Sequence, residues 1–182
     1  MKKFSHFALL LGLLLLPFTS ARAQDFPWDD FERRTLKDLV KLNVQEDSAD
    51  LMKQADQAQF VFRGKILPSV VRVAYTGKSK PLSDDRKKFI ELWAETYSQD
   101  ATFAKLFALE YLFKEGADEY WLPVEQQVAQ HFAEELTPGG AVDLYLLRTG
   151  GLKKKDKNEV EWMFLVEEFL KPKDKEWVTQ SP

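Results

Sequence analysis

The sequence predicts an α+β fold: a small, curled, mostly antiparallel sheet of about six strands, with two inserted helices and an N-terminal helical flap. Three observations predict it. From Gln59 onward, apolar residues alternate with period two in successive pairs of segments, as one-sided strands do. Between those pairs, residues 83–98 and 125–136 change to helical spacing. Ahead of them, residues 28–53 carry two short helical patterns. Strand pairs interrupted by helices are the order of an α+β domain with an antiparallel sheet.

Residues 1–23 are read as a secretory signal and set apart from the fold. Lys2 and Lys3 precede an unbroken apolar run from Phe7 to Leu16; Pro17 ends it, and Ala21-Arg22-Ala23 offers small residues at the two positions a signal peptidase reads. The run falls far short of the roughly 20 residues that a membrane span needs. Cleavage is expected after Ala23. With the signal go Lys2, Lys3 and Arg22 and no acid, leaving 159 residues with 23 basic and 29 acidic side chains. No transmembrane segment is expected after cleavage, and the protein is expected to be periplasmic or secreted. It contains no cysteine, so packing alone must stabilise it even where disulfides could form. A net acidic chain exerts no general pull on polyanions, and no nucleic acid partner is expected.

Residues 24–57 form the expected flap. Phe31, Thr35, Leu36, Leu39 and Val40 share one helical side over 28–42, with Asp29 and Asp30 near the positive end of the dipole. Ser48 would cap a second piece running to about Lys53. Residues 58–170 form a single α+β domain. Its first two strand segments carry Phe60, Phe62, Gly64 and Ile66, then Val71, Val73 and Tyr75, on the apolar face, with Arg63, Lys65 and Arg72 on the polar one. If Leu67-Pro68 were a tight turn, Arg63 would oppose Arg72, an unfavourable pair on a sheet. Nearby acids, an anionic partner or one long bent strand would each resolve it.

Gly77-Lys78-Ser79 ends like a phosphate-binding loop, but such a loop needs a glycine five residues before Gly77, where Arg72 stands, and a helix starting at the Lys-Ser pair. Pro81 delays the helix to Ser83, so TGKSK is read as a solvated turn leaving a strand. Ser83 with Asp84 and Asp85 starts a helix whose stripe is Phe89, Ile90, Trp93, Ala94 and Tyr97, with Arg86, Lys87, Glu91 and Glu95 opposite. Residues 103–113 fit either period. A hairpin follows, turning at Glu115-Gly116-Ala117-Asp118, with Pro123 near a strand end or on an edge. Val128, Phe132 and Leu136 mark one helix over 125–136, ended by Thr137-Pro138-Gly139-Gly140. The last hairpin pairs the alternation from Val142 with that from Val160, apolar on both faces, around the basic loop GGLKKKDKNE. Residues 171–182 read as a loosely held tail. In topology alone, the strand-strand-helix-strand-strand order resembles a partly open OB-like barrel over roughly residues 59–170.

The inventory for chemistry is short. Cysteine catalysis is ruled out, and after cleavage His131 is the sole histidine, so a zinc site of the usual kind lacks ligands. No cofactor and no metal are expected. His131 and Glu135, spaced i to i+4, are weak catalytic candidates, and an ordinary helix-surface pair is the plainer reading. Carboxylate chemistry would need strands to gather Glu110, Asp143, Glu161 or Glu167. Two binding features remain. Arg63, Lys65, Arg72, Lys78, Lys80, Lys153, Lys154 and Lys155 offer cations for an anionic envelope component, and Trp121 and Tyr145 offer rings on which sugars could stack. The expected function is therefore a non-enzymatic binding or accessory module for an anionic, glycan or protein partner of the envelope. The alternative is a carboxylate-dependent hydrolase assisted by His131.

Overall fold

In the computed structural model, residues 26–46, 59–63, 66–98, 100, 102–153 and 159–172 are described. Among these residues, seven strands form one sheet: β1 (Glu32–Arg34), β2 (Phe60–Phe62), β3 (Pro68–Pro81), β4 (Phe107–Glu115), β5 (Asp118–Glu125), β6 (Ala141–Lys153) and β7 (Val160–Leu170). The order is β1-β3-β4-β5-β7-β6-β2, and a further β3–β6 pairing closes β3, β4, β5, β7 and β6 into a five-stranded barrel. All barrel pairs are antiparallel except β5–β7, which is parallel and bridged at Val124–Val166. The OB-like topology predicted from element order is present, with the barrel closed rather than partly open.

The first two strand segments are not a hairpin. Both β2 and β3 run antiparallel to β6, with Phe62 opposite Gly150 and Pro68 opposite Leu147, so they are two parts of one long, interrupted strand. Arg63 therefore never opposes Arg72. The supposed turn TGKSK also lies inside β3, as a bulge between Tyr75 and Ser79 that Gly77 permits with a φ of 77°. Thr76 holds the bulge by donating its hydroxyl to the Leu112 carbonyl at 2.7 Å.

Val71, Val73, Tyr75, Phe113, Leu122, Val124, Val142, Leu144, Leu146, Phe164 and Val166 fill the barrel. Helix α1 (Leu36–Glu46) adds Leu36 and Leu39 to this core. Its first turn is capped from afar, since the Glu115 carboxylate accepts from the Leu36 and Lys37 amides at 2.8 and 3.0 Å. The helix begins later than periodicity suggested because Glu32–Arg34 is drawn into the sheet as β1, parallel to β3. The proposed second piece around Ser48 lies outside the described residues, as do the signal segment and the tail beyond Pro172.

Helix α2 (Asp84–Trp93, continued as a π turn over Ala94–Ser98) lies against the outer wall of the barrel. Phe89, Ile90, Trp93 and Ala94 form a second core with Leu82, Phe107, Leu152, Met163 and Leu165. This layer explains why the last hairpin is apolar on both faces: one side fills the barrel and the other receives α2. Ser83 caps the helix by accepting from the Arg86 amide at 3.4 Å. Ser83→Ala is expected to cost about 1 kcal/mol, measurable as a shift in urea midpoint.

Residues 103–113 resolve into a 3-10 turn (Phe103–Leu106) followed by β4. The single helix expected over 125–136 is instead two short ones, α3 (Gln126–Ala129) and α4 (Phe132–Glu135), which still bury Val128 and Phe132. Gly150, Gly151 and Leu152 belong to β6 rather than to the basic loop. At Gly150 the φ is 138° and a side chain would meet the Val61 carbonyl at 2.0 Å, so only glycine lets β2 approach β6 there.

Candidate functional site

Beyond the Gly77 bulge, β3 resumes its pairing with β4, placing Lys80 opposite Glu110. On that outer face of the β4–β5 hairpin, Glu110, Leu112 and Lys114 follow one another at strand period; Trp121 lies opposite Leu112 and Glu119 opposite Lys114. The Lys80 ammonium is 4.2 Å from the centroid of the Trp121 ring and 3.2 Å from the Glu110 carboxylate. Lys114 pairs with Glu119 at 2.9 Å. The Glu119 carboxyl is held below its ordinary range by the Lys114 hydrogen bond and charge, with Lys78 adding a smaller effect. One half-buried ring and three exposed ammonium groups, Lys78, Lys80 and Lys114, therefore share this region.

Beneath the ring lies a buried ionic network. Arg86, expected on the exposed side of its helix, is instead 8% exposed. One guanidinium nitrogen donates to Glu110 and, at 3.1 Å, to the Trp121 carbonyl; the other donates to Glu161. Glu110 is 2% exposed, so Arg86 and Lys80 compensate a carboxylate with almost no access to water. The network ties α2 to β3, β4, β5 and β7 and fixes the backbone that carries Trp121.

Two other predicted cations, Arg63 and Arg72, do not join this region. Arg63 is buried, donates to the Asn43 carbonyl at 2.8 Å and lies 5.0 Å from the Trp162 ring centroid. Its side chain replaces the expected polar face with an internal contact between β2 and α1. Arg72 makes a two-pronged pair with Asp143 at 2.6 and 2.8 Å, the acid standing directly across from it on β6. Lys153 ends β6, half-buried, while Lys65, Lys154 and Lys155 lie outside the described residues. Tyr145 is covered rather than open. Phe26, Trp28 and Phe31 meet its ring edge-on, at centroid distances of 5.7, 4.7 and 5.3 Å.

The acids are likewise dispersed. Glu110 and Glu161 belong to Arg86, and Asp143 to Arg72. Glu167 sits at the β6–β7 bulge, between the Val166 and Glu168 pairings, one residue past the bridge that brings Glu125 alongside. Burial first, and the Glu125 charge second, push its carboxyl up to about 7. His131 and Glu135 are both exposed at the α3–α4 junction, where the His131 carbonyl accepts from the Glu135 amide at 2.9 Å. Among the described residues, no three histidine or acidic side chains gather as a metal site.

Sequence reasoning missed Arg86, Lys114, Glu119 and Glu125 as members of these arrangements. Lys114 and Glu119 had a readable signal, since they flank a predicted four-residue turn symmetrically and so must face each other. Arg86 had none, because its partners are 24, 35 and 75 residues away. Among the described residues, no helix is long and apolar enough to cross a membrane. Comparison with protein families, with curated proteins and with solved structures finds no match to this chain.

Proposed function

We propose that this is an exported envelope protein, periplasmic or secreted, that binds an acidic glycan segment on the outer face of β4 and β5. The single observation carrying this reading is the Lys80 ammonium over the Trp121 ring, with Lys78 and Lys114 nearby. A ring presents a flat apolar face to a sugar, and ammonium groups around it favour a carboxylate or sulfate on that sugar. The same strands, second and third of the barrel, are those on which OB-fold proteins take oligosaccharides and oligonucleotides, an analogy of fold alone.

Thermal unfolding against uronic-acid oligosaccharides and neutral ones of equal length tests this, because a ligand of the native state raises the midpoint. The acidic series is expected to raise it and the neutral series much less, with the difference shrinking at high salt. Trp121→Ala is expected to weaken binding about tenfold, equivalent to about 1.4 kcal/mol, and Lys78→Ala/Lys80→Ala to remove the preference for acidic sugars. A preference for the acidic series that persists unchanged in that double variant would sink the assignment. A shift with neither would move the proposal to a protein partner. The rival reading, a carboxylate-dependent hydrolase, draws on Glu167 beside Glu125; glycan cleavage abolished by Glu167→Gln would establish it in place of simple binding.

A further inference from the structure

A cavity of about 250 Å³ opens at the mouth of the barrel, where β4 begins, β5 ends and α3 starts. It exists for local reasons. The β4–β5 register shifts between Phe107 and Leu109, making Ala108 the extra residue of a bulge, and bulges at barrel rims open and re-aim the wall. Ala108 and Ala129 are too small to fill the space, while Leu109 and Val124 make the rest of the wall apolar. Three neutral polar side chains also line it: Tyr111, Gln126 and Gln130. Gln126 donates an amide hydrogen to the Lys105 carbonyl at 3.1 Å, which anchors its carboxamide at the rim. The Tyr111 ring is fixed edge-on to Phe132 at 5.1 Å. Its hydroxyl has no hydrogen-bond partner among the described residues, although a half-buried phenol ordinarily finds one. Partial burial alone raises the pKa of that hydroxyl above its ordinary value, so it is a neutral donor throughout the physiological range.

We propose that this cavity is a binding site for a small uncharged molecule with an apolar body, one ring or a short acyl chain, and a carbonyl or amide end. The volume sets the size, being below the roughly 300–1,000 Å³ of clefts that take drug-sized ligands. The lining sets the charge. Among the described residues, no ionised side chain lines the space, so a charged ligand would lose its water without a compensating partner, whereas a carbonyl can accept from Tyr111 and an amide can exchange hydrogen bonds with Gln126 and Gln130. The site is separate from the Trp121 face, because Tyr111 and Val124 point to the barrel side of strands whose opposite side carries Glu110, Trp121 and Glu125.

The test is an NMR titration of the purified protein with acetanilide, a neutral ring bearing an amide, and with benzoate, the same ring bearing a charge. Acetanilide is expected to move the Ala108 and Ala129 methyl signals and the Gln126 and Gln130 side-chain amides saturably, with benzoate at least about tenfold weaker. Tyr111→Phe and Gln130→Ala should each weaken acetanilide several-fold while leaving the melting midpoint in place, and Ala129→Leu should fill the space and abolish the shifts. Signals that stay unmoved up to the solubility limit of acetanilide overturn the site. So does equal binding of benzoate, or acetanilide binding that survives all three substitutions.

Discussion

Replacing Glu110 by alanine is expected to destabilise the protein by about 3–5 kcal/mol, read from urea unfolding at neutral pH. The expectation follows from burial. Glu110 is 2% exposed and Arg86 8%, so removing the carboxylate leaves a guanidinium with little water and only the Trp121 carbonyl and Glu161 to satisfy it. The Glu161 side chain is 42% exposed, and its attraction is correspondingly screened. Lys80 adds little to the loss, because its ammonium is half in water and can simply turn outward. Arg86→Met combined with Glu110→Leu should recover most of the stability, since a packed apolar pair needs no compensation. A loss below about 1 kcal/mol in Glu110→Ala would mean that Glu161 alone suffices for Arg86 and that the network contributes little.

Glu167→Gln is expected to stabilise the protein by about 3 kcal/mol at pH 8 and to change it little at pH 4.5. In the folded state the carboxyl holds its proton up to about pH 7, against 4.5 for an ordinary glutamic acid. Between those values the folded protein carries a proton that the unfolded chain releases, so stability declines as pH rises through the window and levels off above it. Glutamine keeps the shape and removes both the burial penalty and the repulsion from Glu125. Unfolding curves of both proteins at pH 4.5, 6 and 8 decide the matter, and a gain that is the same at all three would refute the ionisation argument.

How far the sequence discloses this protein depends on the range over which each feature acts. Alternation and helical spacing are local, and they located β3, α2, β5, β6 and β7 because each segment's own pattern matches its neighbours in space. The Ser83 cap and the turn at Gly116 were equally local. Features set by distant contacts were misjudged. Glu32–Arg34 has too few residues to show a period and becomes a strand only because β3 offers an edge. Arg63 reads as a polar-face residue, yet the α1 backbone and Trp162 lie where solvent was expected. The GGL stretch reads as loop chemistry, yet the missing side chain of Gly150 serves the close approach of β2 and that of Gly151 the close approach of β7. For the candidate site, Trp121, Lys78 and Lys80 were named in advance. Their grouping apart from Arg72 and Tyr145 required the register, because only the register assigns Asp143 to Arg72 and sets Lys80 beside the ring.

The long, interrupted strand formed by β2 and β3 has a consequence for the order of assembly. Along the segment from Ser69 to Ala74 its barrel partner is β6, which begins at Ala141, so the wall cannot close on that side until most of the chain is available. A chain emerging N-terminus first can form the β3–β4–β5 meander early, but it must then hold one unsatisfied β3 edge until β6 follows, some fifteen residues after β5 ends. The β3–β6 pairing joins segments about 70 residues apart, the kind of distant pairing that slows folding. In the interval the waiting edge, rich in Val70, Val71 and Val73, is the place where a holding chaperone would act, and where two unfinished chains would pair with each other.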